Sequence, residues 1–208
     1  MSSADKIDLF RLHKDQYAAS KKPQLIEADR AKYLTIDGRG APGSQTFSAK
    51  VGALYSVAYT IKMTRKFSGG RDYTICKLEA QYWFDNESQS FADIPPEQWN
   101  WKMMIRTPDF VEDDELRSAV EKLLEKGKEP EVQNVRFEYL SEGQCVQMLH
   151  LGPYDSEHET VFQMQAFAQQ QGLQFYGRHH EIYLSDPRRV PPERLKTILR
   201  HPVKAAAH

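Results

Sequence analysis

The chain has 208 residues, with 28 Lys and Arg against 29 Asp and Glu, so its formal net charge is −1. A hydrophobic fraction of 40%, including 3 Trp, 10 Tyr and 10 Phe, is enough to build a core and excludes wholesale disorder. The near-neutral balance offers no basic field for a phosphate backbone, and no apolar run reaches the length of a membrane span, so neither a nucleic acid nor a membrane is expected as partner.

In chain order, the opening MSSADKIDLFRLHKDQY interleaves charged and apolar residues and lacks the apolar stretch and cleavage site of a signal peptide, so a cytoplasmic location is expected. Alternating apolar residues predict strands at 24–28, 31–37, 74–84 and 101–106, with a helix at 46–66 between the second and third. Residues 112–130, EDDELRSAVEKLLEKGKEP, place Leu116, Ala119, Val120, Leu123 and Leu124 at helical spacing. Acidic residues in the first turn and lysines in the last suit the helix dipole, and Gly127 and Pro130 end a linking helix of about 112–127. Further strands are predicted at 135–140, 144–150, 179–185 and 196–200, with a helix at 155–171 that Asp155 would N-cap and Gly172 would stop. Residues 205–208 read as a disordered tail. Cys76 and Cys145 are far apart with no CxxC, which indicates neither a disulfide framework nor a thiolate metal site.

One segment returns. Ile94-Pro95-Pro96-Glu97 pairs with Val190-Pro191-Pro192-Glu193, and, after a two-residue gap, Trp101-Lys102 through Ile105-Arg106 pairs with Leu195-Lys196 through Leu199-Arg200. The simplest reading is an internal duplication. Each half then runs strand, strand, helix, strand, strand, with pseudo-repeats at about 24–108 and 134–202 inside a single domain at 1–204. The expected fold class is α+β with antiparallel sheets, pseudo-two-fold symmetry and a central ligand groove.

The blocks YLTIDGRGAPGSQTF, ALYSVAYTIK, WKMMIRTPDFV, EGQCVQMLHLGPY, HHEIYLSDPRR and KTILRHPV together resemble the stand-alone proteins of the GyrI-like small-molecule-binding family, over about residues 20–204. The resemblance implies a tandem pair of strand–helix–strand–strand modules around a groove. It also implies kinship with the effector-binding halves of multidrug-sensing activators and with a gyrase-inhibitory protein. Some stand-alone members hydrolyse cyclopropanoid natural products, DNA-alkylating compounds that carry a cyclopropane fused to a conjugated dienone, so the same detoxifying activity is expected here. No cofactor is expected.

On a strand over 178–185, His179, Glu181 and Tyr183 share one face, and His180, Ile182 and Leu184 share the other, which goes to the core. Glu181 would face the groove among aromatic rings that raise a carboxylate's proton affinity and suit it to general-base work. The resemblance supports this position, because multidrug-binding relatives carry a buried acid in the matching strand. Glu79 would sit on the opposite wall, sharing a face with Gln81 and Trp83, in a register ambiguous by one residue. A flat hydrophobic ligand would lie between rings chosen from Tyr55, Trp83, Trp101 and Tyr154, with His179 beside it. Opening the cyclopropane turns the dienone into a phenolate, so Glu181 would activate water while Tyr183 or Tyr55 orients the water or donates to the developing oxyanion.

Other signals are discounted. Gly38-Arg39-Gly40-Ala41-Pro42-Gly43 matches G-x-G-x-x-G, yet 58–66 holds no carboxylate for a ribose and Pro42 removes a donor, so ordinary turn chemistry explains it. His179 and His180 point to opposite faces and do not share one ion, so no metal is expected. No Gly-x-Ser-x-Gly elbow or catalytic cysteine context appears. The alternatives to a hydrolase are a non-catalytic binder or effector sensor and a gyrase-inhibitor-like protein. The first would need a separate DNA-binding partner, since no helix-turn-helix fits before residue 24, and the charge of −1 lends the second no acidic surface.

Overall fold

The computed structural model describes residues 6–84 and 94–206. It is a mixed α+β fold with antiparallel sheet pairing and few helices. The chain divides into two compact units. One takes residues through Leu12, Ala31–Leu78 and Tyr82–Leu140; the other takes His13–Arg30, Glu79–Gln81 and Ser141 onward. Among the described residues no helix is long and apolar enough to cross a membrane.

The first unit begins with a short helix α1 (Leu9–Leu12); α2 (Lys14–Tyr17) and strand β1 (Gln24–Ala28) follow but belong to the second unit. Its centre is β2 (Ala31–Arg39), whose Leu34 and Ile36 are fully buried. The helix α3 (Gln45–Phe67) packs on β2 through a stripe of Ala53, Leu54, Val57, Ala58 and Ile61, spaced as an amphipathic helix requires. Ser44 caps it, its hydroxyl accepting from the Phe47 N–H at 3.2 Å. Strand β3 (Leu78–Trp83) gives its ends to this unit and its middle, Glu79–Gln81, to the other. Strand β4 (Asn100–Arg106) lies antiparallel to β2, with Gly38 opposite Trp101. The linking helix α4 (Asp113–Glu125) packs against α3, and β5 (Arg136–Leu140) covers the other edge of β2.

In the second unit β6 (Gly143–Leu151) lies between β1 and β9 (Lys196–Ala205). The helix α5 (Glu157–Gln170) closes a core of Val146, Met148, Met164, Ala168, Leu199 and Val203. The short β7 (Leu173–Phe175) pairs with the far end of β9, and β8 (His179–Tyr183) pairs with its near end. Both Pro-Pro-Glu segments form a single 3-10 turn, Pro96–Gln98 before β4 and Pro192–Arg194 before β9.

The structure supplies one pairing that the sequence leaves unspecified and changes three expectations. The opening strand of each half pairs outside its own half: β1 joins β6 in the second unit, and β5 joins β2 in the first. Alternation identifies a strand but not its partner, and the default of sequential neighbours misleads here. The strand expected at 74–84 is limited to Leu78–Trp83. Asp155 does not cap α5; it sits inside a 3-10 turn, Tyr154–Ser156, and the helix opens at Glu157. The tail expected at 205–208 is partly structured, since Ala205 pairs with Leu173 and the Ala206 N–H donates to the Gly172 carbonyl at 3.0 Å; residues 207 and 208 lie outside the described part.

Candidate carboxyl site in the second unit

Strand β8 alternates as its sequence requires, and its two faces carry different chemistry. On one face His180 is fully buried between two carboxylates: its Nδ1 lies 2.8 Å from Glu142 Oε2 and its Nε2 lies 3.1 Å from Glu79 Oε2. Both acceptors are carboxylates, so both ring nitrogens carry hydrogen and the ring is an imidazolium. Tyr17 donates to Glu79 Oε1 at 2.8 Å, Gln81 donates to Glu142 Oε1 at 3.1 Å, and Arg200 adds a weaker bond to Glu142 Oε2 at 3.4 Å. Arg200 also donates to Gln147 Oε1 at 2.9 Å and to the Gln16 carbonyl. Burial alone would push the Glu142 carboxyl up, but the charges of His180 and Arg200 outweigh it and hold it down at about 2. Burial likewise opposes a charged His180, and Glu142 and Glu79 overcome it and hold the imidazole up at about 9. Two cations and two anions satisfy one another, which makes this network structural.

The other face of β8 carries the candidate site. Glu181 accepts from the Tyr183 hydroxyl at 2.7 Å through Oε2, while its Oε1 lies 3.4 Å from His179 Nε2. The Tyr154 ring, 39% exposed, meets Tyr183 edge to face with centroids 5.9 Å apart. Above Glu181, in the first turn of α5, stands Glu157, 93% buried. Its burial and the adjacent Glu181 charge hold its carboxyl well above the usual carboxylate range. Its Oε1 is buried and meets no donor in good hydrogen-bond geometry; the Thr197 hydroxyl on β9 and the Glu181 carboxyl are its polar neighbours. Burial and the same two carboxyls push the Tyr154 phenol up to about 12, so it stays a donor. His179 faces the His201 ring at 6.1 Å, and burial followed by His179 pushes His201 down to about 3, so it is neutral. Glu157, His179 and Glu181 each offer a ligand atom within 4.8 Å of the other two.

The expected site residues are distributed over both units. Glu181, Tyr183, His179 and Tyr154 come together in the second unit. Glu79 is corrected: it is fully buried and held by Tyr17 and His180, so it walls no groove. Trp101 is corrected likewise, because its indole is fully buried in the first unit, edge-on to Phe47, with Nε1 donating to the Gly40 carbonyl at 3.0 Å. Tyr55 and Trp83 are half-buried residues of the first unit. Sequence reasoning missed Glu157. The signal lies in α5, whose buried positions Glu157, Thr160, Met164 and Ala168 follow one helical face and put a carboxyl where an apolar residue belongs. The two histidines do face opposite sides, but His179 meets two carboxyls on its own side, a grouping that the strand argument passed over.

The α+β scaffold that carries these carboxyls is similar to that of small-molecule-binding domains. A family model described as GyrI-like small molecule binding domain matches residues 103–204. A crystal structure of an uncharacterized conserved protein from Listeria innocua is 36% identical, with a TM-score of 0.89, over 96% of this chain and 100% of that one. Two structures described as a hydrolase from Listeria innocua are 36% and 35% identical, with TM-scores of 0.85 and 0.86 and the same coverage. The EcmrR C-terminal domain shares the fold at 12% identity and a TM-score of 0.59, over 89% of this chain and 98% of that one. The search of curated proteins found no match. The chain belongs to the GyrI-like small-molecule-binding family.

Proposed function

We propose that the protein binds flat, largely apolar small molecules and hydrolyses cyclopropanoid DNA-alkylating compounds, with Glu181 as general base. The observation that carries this reading is the Glu181–Tyr183 pair, a carboxylate held at 2.7 Å by a phenol beside the partly exposed Tyr154 ring. The relatives described as hydrolases, which match this chain along their whole length, support the reaction class.

In the reaction, Glu181 takes a proton from water as the water oxygen bonds to the cyclopropane carbon. The ring C–C bond breaks, and its electron pair flows into the dienone to give a phenolate. That phenolate takes back the proton, so the net change is addition of one water. In this reading Tyr154, kept protonated, takes the role of donor to the developing oxyanion that the sequence suggested for Tyr183 or Tyr55, while Tyr183 holds the orientation of Glu181.

The test is incubation of wild type and Glu181→Gln with a cyclopropanoid alkylator, followed by mass spectrometry. Catalytic gain of one water with wild type, lost in Glu181→Gln while ligand binding persists, is the expected result. Turnover that survives the substitution overturns the base assignment. Saturable binding without turnover by either protein makes this chain a non-catalytic binder.

A further inference from the structure

We infer that Glu157, His179 and Glu181 form a binding site for a divalent transition-metal ion of the zinc type. This goes beyond the proposed hydrolysis, which calls on no metal.

The donor set and its spacing carry the inference. One imidazole and two carboxylates are ligands that zinc and its neighbours in the first transition row accept. His179 and Glu181 are two apart on β8 and so share a face, and Glu157 reaches them from the first turn of α5. Two ligands on a tetrahedral ion with bonds of about 2.05 Å stand about 3.3 Å apart. His179 Nε2 and Glu181 Oε1 are 3.4 Å apart, already at that separation. Glu157 closes the set from within 4.8 Å, a shift that side-chain torsions supply.

The surroundings supply the second observation. Glu157 Oε1 is an acceptor sealed from solvent that no donor meets in good geometry, with the Thr197 hydroxyl and the Glu181 carboxyl beside it; a buried polar atom in this state asks for a partner. A cation at the centre of the three ligand atoms answers Glu157. The Tyr183 hydroxyl on Glu181 Oε2 leaves Oε1 turned to His179, an outer-shell contact of the kind that orients ligating carboxylates. Three protein ligands leave a fourth position open to water or a ligand atom.

The test is titration of chelator-treated protein with Co²⁺, followed by visible absorption, with Zn²⁺ as displacing ion. The expected result is saturable uptake of one ion with the absorption of a tetrahedral cobalt centre, abolished by Zn²⁺. His179→Gln and Glu157→Gln, each checked for folding by circular dichroism, should lose that spectrum. Tyr183→Phe should keep it but weaken affinity about tenfold or more. Absence of the spectrum in folded wild type, or a spectrum indifferent to His179→Gln, overturns the inference and leaves a proton or a water as the occupant. Turnover measured in the presence of chelator separates the two proposals. Hydrolysis without cobalt uptake sinks only the metal site, and cobalt uptake without hydrolysis sinks only the hydrolase.

Discussion

His180 Nδ1 lies 2.8 Å from Glu142 Oε2 in a fully buried setting, and this contact ties strand β8 to the turn before β6. Its neighbours on β8, His179 and Glu181, belong to the opposite face. The ion pair therefore fixes the back of the strand whose front carries the candidate site. A buried pair of this kind adds little over an apolar alternative, but loss of one partner strands the other as an uncompensated charge.

The pair should give stability an acid limb and an alkaline limb. The Glu142 carboxyl is depressed to about 2 in the folded chain, so its contribution is complete above the ordinary carboxylate value and is lost as pH falls towards 2. The His180 imidazole is raised to about 9, so its contribution is complete below the ordinary histidine value and is lost as pH rises through 9. Thermal melts across pH should show both losses. Glu142→Ala should cost about 3–5 kcal/mol at neutral pH and flatten both limbs; a variant that melts like wild type would show that the pair is not formed.

Gly38 and Trp101 make the second prediction. A Cβ built on Gly38 would stand 2.0 Å from Cη2 of the Trp101 ring, which has no free space to retreat into because it is fully buried. Gly38→Ala should destabilise the first unit by about 1–3 kcal/mol, the usual cost of overpacking. The accompanying change in tryptophan emission on a folded variant would report that the ring has moved. Unchanged stability would mean that the ring is not seated on the glycine.

Helices and strands were legible because their burial follows period: the α3 stripe and the alternation of β8 are both written in residue type. The pairing of β1 with β6 was not, since hydrogen-bond partners across a long sequence separation leave no periodic trace. For the site, the shared face of His179, Glu181 and Tyr183 followed from alternation alone. Glu79 read as a ligand residue because a strand carboxylate looks the same whether it faces a cleft or a buried cation. Only the positions of His180 and Tyr17 show that it is held internally. Glu157 was hidden among the acidic residues expected at a helix start, where the dipole already explains them.

Glu115 has two partners. It accepts from the Glu112 N–H at 3.0 Å at the start of α4 and from Arg65 of α3 at 2.5 Å, so one carboxylate caps a helix and ties it to its neighbour. Glu115→Ala should lower stability by about 1–2 kcal/mol, mostly through the lost cap, since a partly exposed ion pair contributes less. Raising the salt concentration should narrow the gap between variant and wild type only slightly; a gap that closes entirely would assign the effect to the ion pair instead.

Tyr183 offers the functional prediction that separates a base from a mere binding carboxylate. Its hydroxyl bonds to Glu181 Oε2 at 2.7 Å, while its ring packs against Tyr154. Tyr183→Phe keeps the ring and removes the bond. A hydrogen bond to a charged group is worth about 1.5–3 kcal/mol, so the Phe variant should lose about tenfold to a hundredfold in kcat on a cyclopropanoid substrate with KM little changed. Positioning is the reason, since Glu181 without its donor samples orientations that do not address the water. A rise in KM at constant kcat would instead make Tyr183 a ligand contact and move the proton-accepting role away from the orientation of Glu181.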